Sequence, residues 1–270
     1  MPTTDLRVAA FRRLHESGCF VIPNPWDVGS ALLLEQLGFS ALATTSAGFA
    51  WSMGRCDNGV SLDEALAHFA AVAAAVKVPV NADFERAVAT EPDEVAANVS
   101  RACETGIAGL SVEDSTRDPE DPLFDFGLAV NRVRAARQAI DDSGTGVLLT
   151  GRSEGFIVGR PDIGATIRRL RAYADAGADC LFAPGVKNPS DIETIVRAVA
   201  PKPVNVVVGA DFTTVERLAA LGVRRISVGG SLARVAYSAF LGAAKELAEQ
   251  GTFSAFDRAV PGKELNQLFS

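Results

Sequence analysis

The sequence predicts an α/β protein: a (β/α)8 TIM-type barrel with an N-terminal helix and a C-terminal helical extension. Short apolar runs alternate with helical patterns along the chain, which demands right-handed crossovers and a parallel sheet. Eight such runs occur, and eight units close on themselves. The turn after the first run, Pro23-Asn24-Pro25-Trp26, lacks the glycine-rich dinucleotide turn that an open doubly wound sheet would carry there.

In chain order, Asp5 to Ser17 places Leu6, Ala9, Ala10, Arg13 and Leu14 at helical spacing and stops at Gly18. Cys19 to Ile22 is the first strand. Asp27 caps a helix that runs through Leu37 to Gly38, and Ala41 to Thr45 is the second strand. The same grammar of helix end, glycine and strand returns at Gly106 before Gly109-Leu110-Ser111-Val112, at Gly177 before Cys180-Leu181-Phe182-Ala183, and at Gly222 before Arg225-Ile226-Ser227-Val228. Val78-Pro79-Val80-Asn81 and Lys202-Pro203-Val204-Asn205 enter their strands through proline, which has no need to donate at a first strand residue. Gly146-Val147-Leu148-Leu149 lies between them. Ser61 with Glu64, Ser190 with Glu193 and Thr213 with Glu216 have capping-box spacing at helix starts. Residues 1–250 are expected to form one barrel domain. In residues 251–270, Phe253, Phe256, Leu265, Leu268 and Phe269 suit packing on the barrel or on a neighbouring subunit.

A length of 270 residues accommodates such a barrel, which takes about 250. The formal charge of -7 argues against a nucleic-acid groove or an anionic membrane surface as partner. No run approaches the roughly 18 apolar residues of a membrane span, and no signal-like start is present, so a cytoplasmic protein is expected. Cys19, Cys56, Cys103 and Cys180 lack paired Cys-x-x-Cys spacing and read as small buried hydrophobes, apart from Cys56 on a loop.

Active sites of such barrels lie at the C-terminal strand ends. Those positions hold Asn24, Ser46 with Gly48, Asn81 with Asp83 and Glu85, Glu113 with Asp114, Arg152 with Glu154, Pro184, Asn205, and Gly229-Gly230-Ser231. Asp57 lies on the loop over the same mouth. Converging carboxylates repel and shift upward in pKa unless a divalent cation relieves them, and hard oxygen donors suit Mg2+ or Mn2+. His15 and His68 both fall in helical stretches, which disfavours zinc. Caps and surface pairs are the competing use of these acids. Arg152 suits bidentate recognition of a substrate carboxylate or phosphate, with a structural pair to Glu154 or Glu113 as its alternative. Ser46-Ala47-Gly48 offers successive N–H groups and a hydroxyl to an anion.

Pro25-Trp26-Asp27-Val28, Thr45-Ser46-Ala47-Gly48, Asn81-Ala82-Asp83, Ser111-Val112-Glu113-Asp114 and Gly151-Arg152-Ser153-Glu154, in this order, resemble the isocitrate lyase/phosphoenolpyruvate mutase superfamily. The resemblance implies Mg2+ and a small carboxylate or phosphonate substrate closed under a mobile loop, in a homotetramer that exchanges C-terminal helices. It implies substrate binding by Ser46, Ala47, Gly48, Arg152 and Asn205, metal binding at Asp83, Asp57 and Glu113, with Glu85 as the substitute for a missing ligand, and catalytic roles for Arg152, Glu113 and Asp57. Two departures stand out. The loop Ser115 to Phe126 has neither the cysteine nor the histidine of the family's lyases, and Asn81 replaces the first aspartate of the usual Asp-Ala-Asp. The expected activity is a Mg2+-dependent carbon-carbon lyase or decarboxylase on a 2-oxo or 2-hydroxy dicarboxylate. The alternatives are carbon-phosphorus chemistry and a catalytically silent keto-acid-binding barrel.

Overall fold

The computed structural model describes residues 4–270. Eight strands run parallel: Phe20–Ile22 (β1), Leu42–Ala43 (β2), Val80–Asp83 (β3), Gly109–Glu113 (β4), Leu148–Arg152 (β5), Cys180–Phe182 (β6), Val204–Val207 (β7) and Arg225–Ser227 (β8). The helices among and around them are Thr4–Glu16 (α1), Val28–Gln36 (α2), Ser46–Ser52 (α3), Leu62–Ala75 (α4), Pro92–Cys103 (α5), Phe126–Ser143 (α6), Ile163–Asp175 (α7), Pro189–Val199 (α8), Val215–Ala220 (α9), Ser231–Gln250 (α10) and Gly262–Leu268 (α11). The chain is a (β/α)8 TIM-type barrel.

Ladder pairing runs from β2 through β3 to β8 and on to β1, and stops between β1 and β2. The cause is local. Pro23 and Pro25 remove two donors beyond β1, so that seam is joined by the Ala43 N–H on Pro23 O at 3.0 Å and by Asn24 Nδ2 on Thr44 O at 3.0 Å. The Asn24 carbonyl oxygen also accepts from Val228 and Gly229 N–H, both at 2.9 Å, tying β8 to the same point.

The expected helix starts hold at Asp27 and at Ser61 with Glu64, both of which form capping boxes. Two starts shift. At α8 the cap is Asn188 because Pro189 takes the first helical position, where its missing N–H is not needed. At α9 the cap is Thr214, whose hydroxyl accepts from Arg217 N–H, rather than Thr213. The exposed C-terminal stretch folds back on the barrel, where Gln36 on α2 donates to Leu268 O. Among the described residues no helix is long and apolar enough to cross a membrane.

The lower end of the barrel is closed by α1. Its Phe11 is fully buried, and a Cβ on Gly109 would meet the Phe11 ring at 2.6 Å and Asn81 Oδ1 at 2.7 Å, so only glycine admits both. At the upper end the β3 exit is strained. Glu85, Ala87 and Val88 have φ of 51°, 58° and 49°, an arrangement that costs on the order of 1–3 kcal/mol per residue. Buried Arg132 of α6 holds this exit by donating to Arg86, Ala89 and Thr90 carbonyls, each at 2.7 Å, while stacking over Phe124 at 4.1 Å.

His15 and His68 are held neutral. Burial, then the Arg225 charge, lowers His15 to about 3, and burial lowers His68, stacked on Phe49 at 3.9 Å, to about 4. Both values lie below the ordinary 6.5, so the unfolded chain binds more protons and stability falls as the pH drops below 6.5, by up to about 1.4 kcal/mol per pH unit and histidine. Because the carboxyls of Glu113 and Glu154, raised by burial, act in the opposite sense, the histidine contribution is read as a difference: in urea unfolding at pH 7.5, 6 and 5, His68→Phe is expected to gain stability relative to the wild type as the pH falls.

Candidate active site

A cavity of about 530 Å3 opens at the C-terminal strand ends, the face where the sequence puts its polar residues. Arg152, last residue of β5, is its electrostatic centre. Its Nη1 lies 3.3 Å from Asp83 Oδ1 and 3.3 Å from Glu113 Oε2, and its Nε and Nη2 hold Glu154, the latter at 3.1 Å. Register explains the meeting, since Arg152 pairs with Glu113 across β4 and β5 and Asp83 ends the next strand. The carboxylates expected to need a metal for charge relief therefore have a guanidinium between them.

That pairing sets the protonation of the group. Burial raises Glu113 well above the ordinary carboxylate range, with Arg152 pulling it down and Glu154 and Asp83 pushing it up. Glu154 is raised for the same reasons, burial first. Burial lowers Arg152, but the three carboxylates outweigh it and keep the guanidinium charged.

The remaining expected residues take defined places. Thr45 caps α3 and its hydroxyl accepts from Gly48 N–H, while Ser46 donates to Asp83 Oδ2 from both its backbone nitrogen, at 3.1 Å, and its hydroxyl, at 3.0 Å. The Ser46-Ala47-Gly48 turn thus already holds one anion, the Asp83 carboxylate. Asp57 lies on the exposed rim after α3, its carboxyl raised by partial burial and by Asp83. Glu85 turns to Arg117 at 2.5 Å, and burial raises it against that partner. Asn205 lies on β7 at the lower part of the cavity, with its Nδ2 on Ser227 Oγ at 2.9 Å. The strand-end reading did not single out Arg117, Tyr173, Arg169 or Arg225. Tyr173 and Arg169 sit on α7 and support the site from behind: Asp114 accepts from Tyr173 Oη at 2.6 Å, Arg169 at 3.2 Å and Glu154 N–H at 2.7 Å.

The donor chemistry is compatible with a hard divalent cation. Asp83, Glu113, Glu85 and Asp57 offer carboxylate oxygens, whereas Asn81 Oδ1, buried without a hydrogen-bond partner, lies below them against Gly109. Among the described residues no three carboxylate, thiolate or imidazole side chains are grouped at metal-ligand spacing, because Asp83 and Glu113 converge on Arg152.

A family model described as phosphoenolpyruvate phosphomutase matches residues 11–248. An uncharacterized protein of Mycobacterium tuberculosis is 34% identical over 95% of this chain and 94% of its own length. Oxaloacetate decarboxylase of Pseudomonas putida is 29% identical, covering 83% of this chain and 78% of that one. The crystal structure of a Burkholderia cenocepacia protein described as a candidate lyase/mutase superposes with a TM-score of 0.96 at 45% identity, covering 99% of this chain and 96% of that one.

The supporting layer is testable through stability. Tyr173→Phe removes one donor from the buried Asp114 carboxylate, and a loss of about 1–3 kcal/mol is expected in urea unfolding.

Proposed function

The chain belongs to the isocitrate lyase/phosphoenolpyruvate mutase superfamily, and from that premise we propose a Mg2+-assisted carbon-carbon lyase or decarboxylase for a small 2-oxo or 2-hydroxy dicarboxylate. The observation that carries this reading is the Arg152 guanidinium, fixed against three carboxylates while lining the cavity. The likeness to an oxaloacetate decarboxylase across most of both chains supports the bond type.

Decarboxylation beside a carbonyl breaks one carbon-carbon bond, releases CO2 and leaves the electron pair on the carbonyl fragment as an enolate, which then takes a proton at carbon. A 2-hydroxy acid instead gives up its hydroxyl proton and releases the hydroxyl-bearing fragment as a carbonyl compound, leaving the enolate on the other fragment. Arg152 retains one uncommitted N–H, on Nη2, for the enolate oxygen, and its carboxylate partners Asp83, Glu113 and Glu154 hold it in place without reorganisation. Glu113, raised by burial, keeps a proton at pH values where a free carboxyl has lost it and returns that proton to the carbanionic carbon. This replaces the acid missing from the loop after β4. That loop is folded on itself through the Ser115–Leu123 bridge and Thr116 N–H on Pro122 O, and it reaches β3 through the Arg117–Glu85 pair. Mg2+ held by Asp83, with Asp57 and Glu85 at its edge, would supply Lewis-acid charge to the substrate's oxygens and leave Glu113 as the proton donor.

A second reading is carbon-phosphorus chemistry, favoured by the phosphomutase model that matches most of the chain. Phosphorus NMR of the enzyme with phosphonopyruvate decides it, because an unchanged spectrum removes it. Exposed Val235, Phe240 and Leu241 on α10 support a homotetramer of this chain, which sedimentation velocity measures.

A turnover screen of oxaloacetate, alkylmalates and 2-oxoglutarate with and without Mg2+ is expected to give one metal-dependent activity. Absence of any such activity overturns the lead reading. Arg152→Ala is expected to lower that activity by roughly 10²–10³-fold with the circular dichroism spectrum retained. Asn81→Asp is expected to tighten Mg2+ binding in calorimetry by roughly tenfold, equivalent to about 1.4 kcal/mol.

A further inference from the structure

A second guanidinium lies at the floor of the same cavity. Arg225, first residue of β8, is only 3% exposed and lines the cavity together with Asn205, Ser227 and Ser111. Its Nε donates to Asn205 Oδ1 at 2.9 Å and its Nη2 to Thr150 Oγ1 at 3.0 Å, while Nη1 lies 3.4 Å from His15 Nε2.

All three of these groups are neutral. His15 Nδ1 lies 2.8 Å from Phe11 O, which fixes the proton there and leaves the Nε2 lone pair for Arg225. The Asn205 amide is oriented by Ser227, which takes its N–H and leaves its carbonyl for the guanidinium. Among the described residues no carboxylate forms an ion pair with Arg225, and burial lowers its pKa with only the Cys180 thiol acting in the opposite sense.

The two arginines of the cavity therefore differ in kind. Arg152 is surrounded by Asp83, Glu113 and Glu154, so its charge is more than cancelled. Arg225 is a buried cation without a counter-ion, and unlike Arg132, whose N–H groups are taken by three carbonyls, it faces the cavity, where desolvation of its charge is uncompensated. A guanidinium has five N–H donors, and three contacts leave two of them for a ligand.

We propose that Arg225, with Asn205 and Thr150 as its supports, is the receptor for the remote carboxylate of the substrate, so that the ligand is a short dicarboxylate with one end at the mouth and the other at the barrel floor. This rests on the reading of the cavity as a substrate site and deepens it by assigning the second anionic group. A monocarboxylate leaves Arg225 without its counter-ion and binds more weakly. Discrimination by chain length follows too, because the floor and the mouth are fixed on different strands.

Calorimetric titration of the full-length protein with malonate and succinate, beside acetate and propionate, tests this without needing turnover. The better dicarboxylate is expected to bind at least tenfold more tightly than either monocarboxylate. Arg225→Gln is expected to abolish that difference and Arg225→Lys to retain part of it. Equal binding of both classes by the wild type, no dicarboxylate binding, or an undiminished difference in Arg225→Gln overturns the proposal. If Arg225→Gln fails to fold, a wild-type crystal soaked in the better dicarboxylate decides: a carboxylate within hydrogen-bond distance of Arg225 supports the floor site, and density at the mouth alone overturns it. A protein that binds dicarboxylates through Arg225 and cleaves none of them would sink the proposed reaction and leave this inference standing. A protein with metal-dependent turnover and unchanged KM in Arg225→Gln would do the reverse.

Discussion

The Arg152 guanidinium among Asp83, Glu113 and Glu154 is the interaction on which the site depends. Carboxylates at the ends of neighbouring strands, withdrawn from water, are stable only with a cation between them or with protons on them. Both are present here, as the charged arginine and the raised Glu113 and Glu154. The surrounding elements fix this arrangement in turn. Ser46 orients Asp83 from α3, and Asp114 fixes the Glu154 backbone under the hold of Tyr173 and Arg169 on α7. Helices on the outside of the barrel thereby determine where charge sits inside it.

Along its axis the cavity changes character. The mouth is acidic and nearly self-neutralised, with Glu85 taken by Arg117, while the floor carries an uncompensated positive charge among neutral polar side chains. The charge along the cavity therefore changes sign between entrance and floor.

Much of this was legible in the residues. Repetition of helix, glycine and apolar run gave the barrel, and reading only the strand ends led to Arg152, Glu113 and Asp83. Asp114 and Glu154 were visible as strand-end acids, but their supports were not, because Tyr173 and Arg169 sit on a helix whose inward face carries no strand-end signal. Arg225 escaped because it begins a strand rather than ending one. A charge inside an apolar run was the available sign, as Arg225 and Ser227 alternate inward around Ile226. The upward shift of the converging acids and the pairing of Arg152 with Glu113 and Glu154 follow from the strand ends, whereas the additional reach of Arg152 to Asp83 across two strands is not visible in spacing along the sequence.

The seam between β1 and β2 carries a consequence of its own. Asn24 there stands in for missing main chain, donating to one strand and accepting from the turn that follows another. Only a side chain with both an N–H and a carbonyl at its tip performs that double role, so neither aspartate nor leucine of similar size is an equivalent. The circle of strands is closed there by one backbone bond, Ala43 N–H on Pro23 O, and by the Asn24 amide, so part of the hydrogen bonding that completes the cavity wall is encoded in a side chain rather than in the repeating backbone.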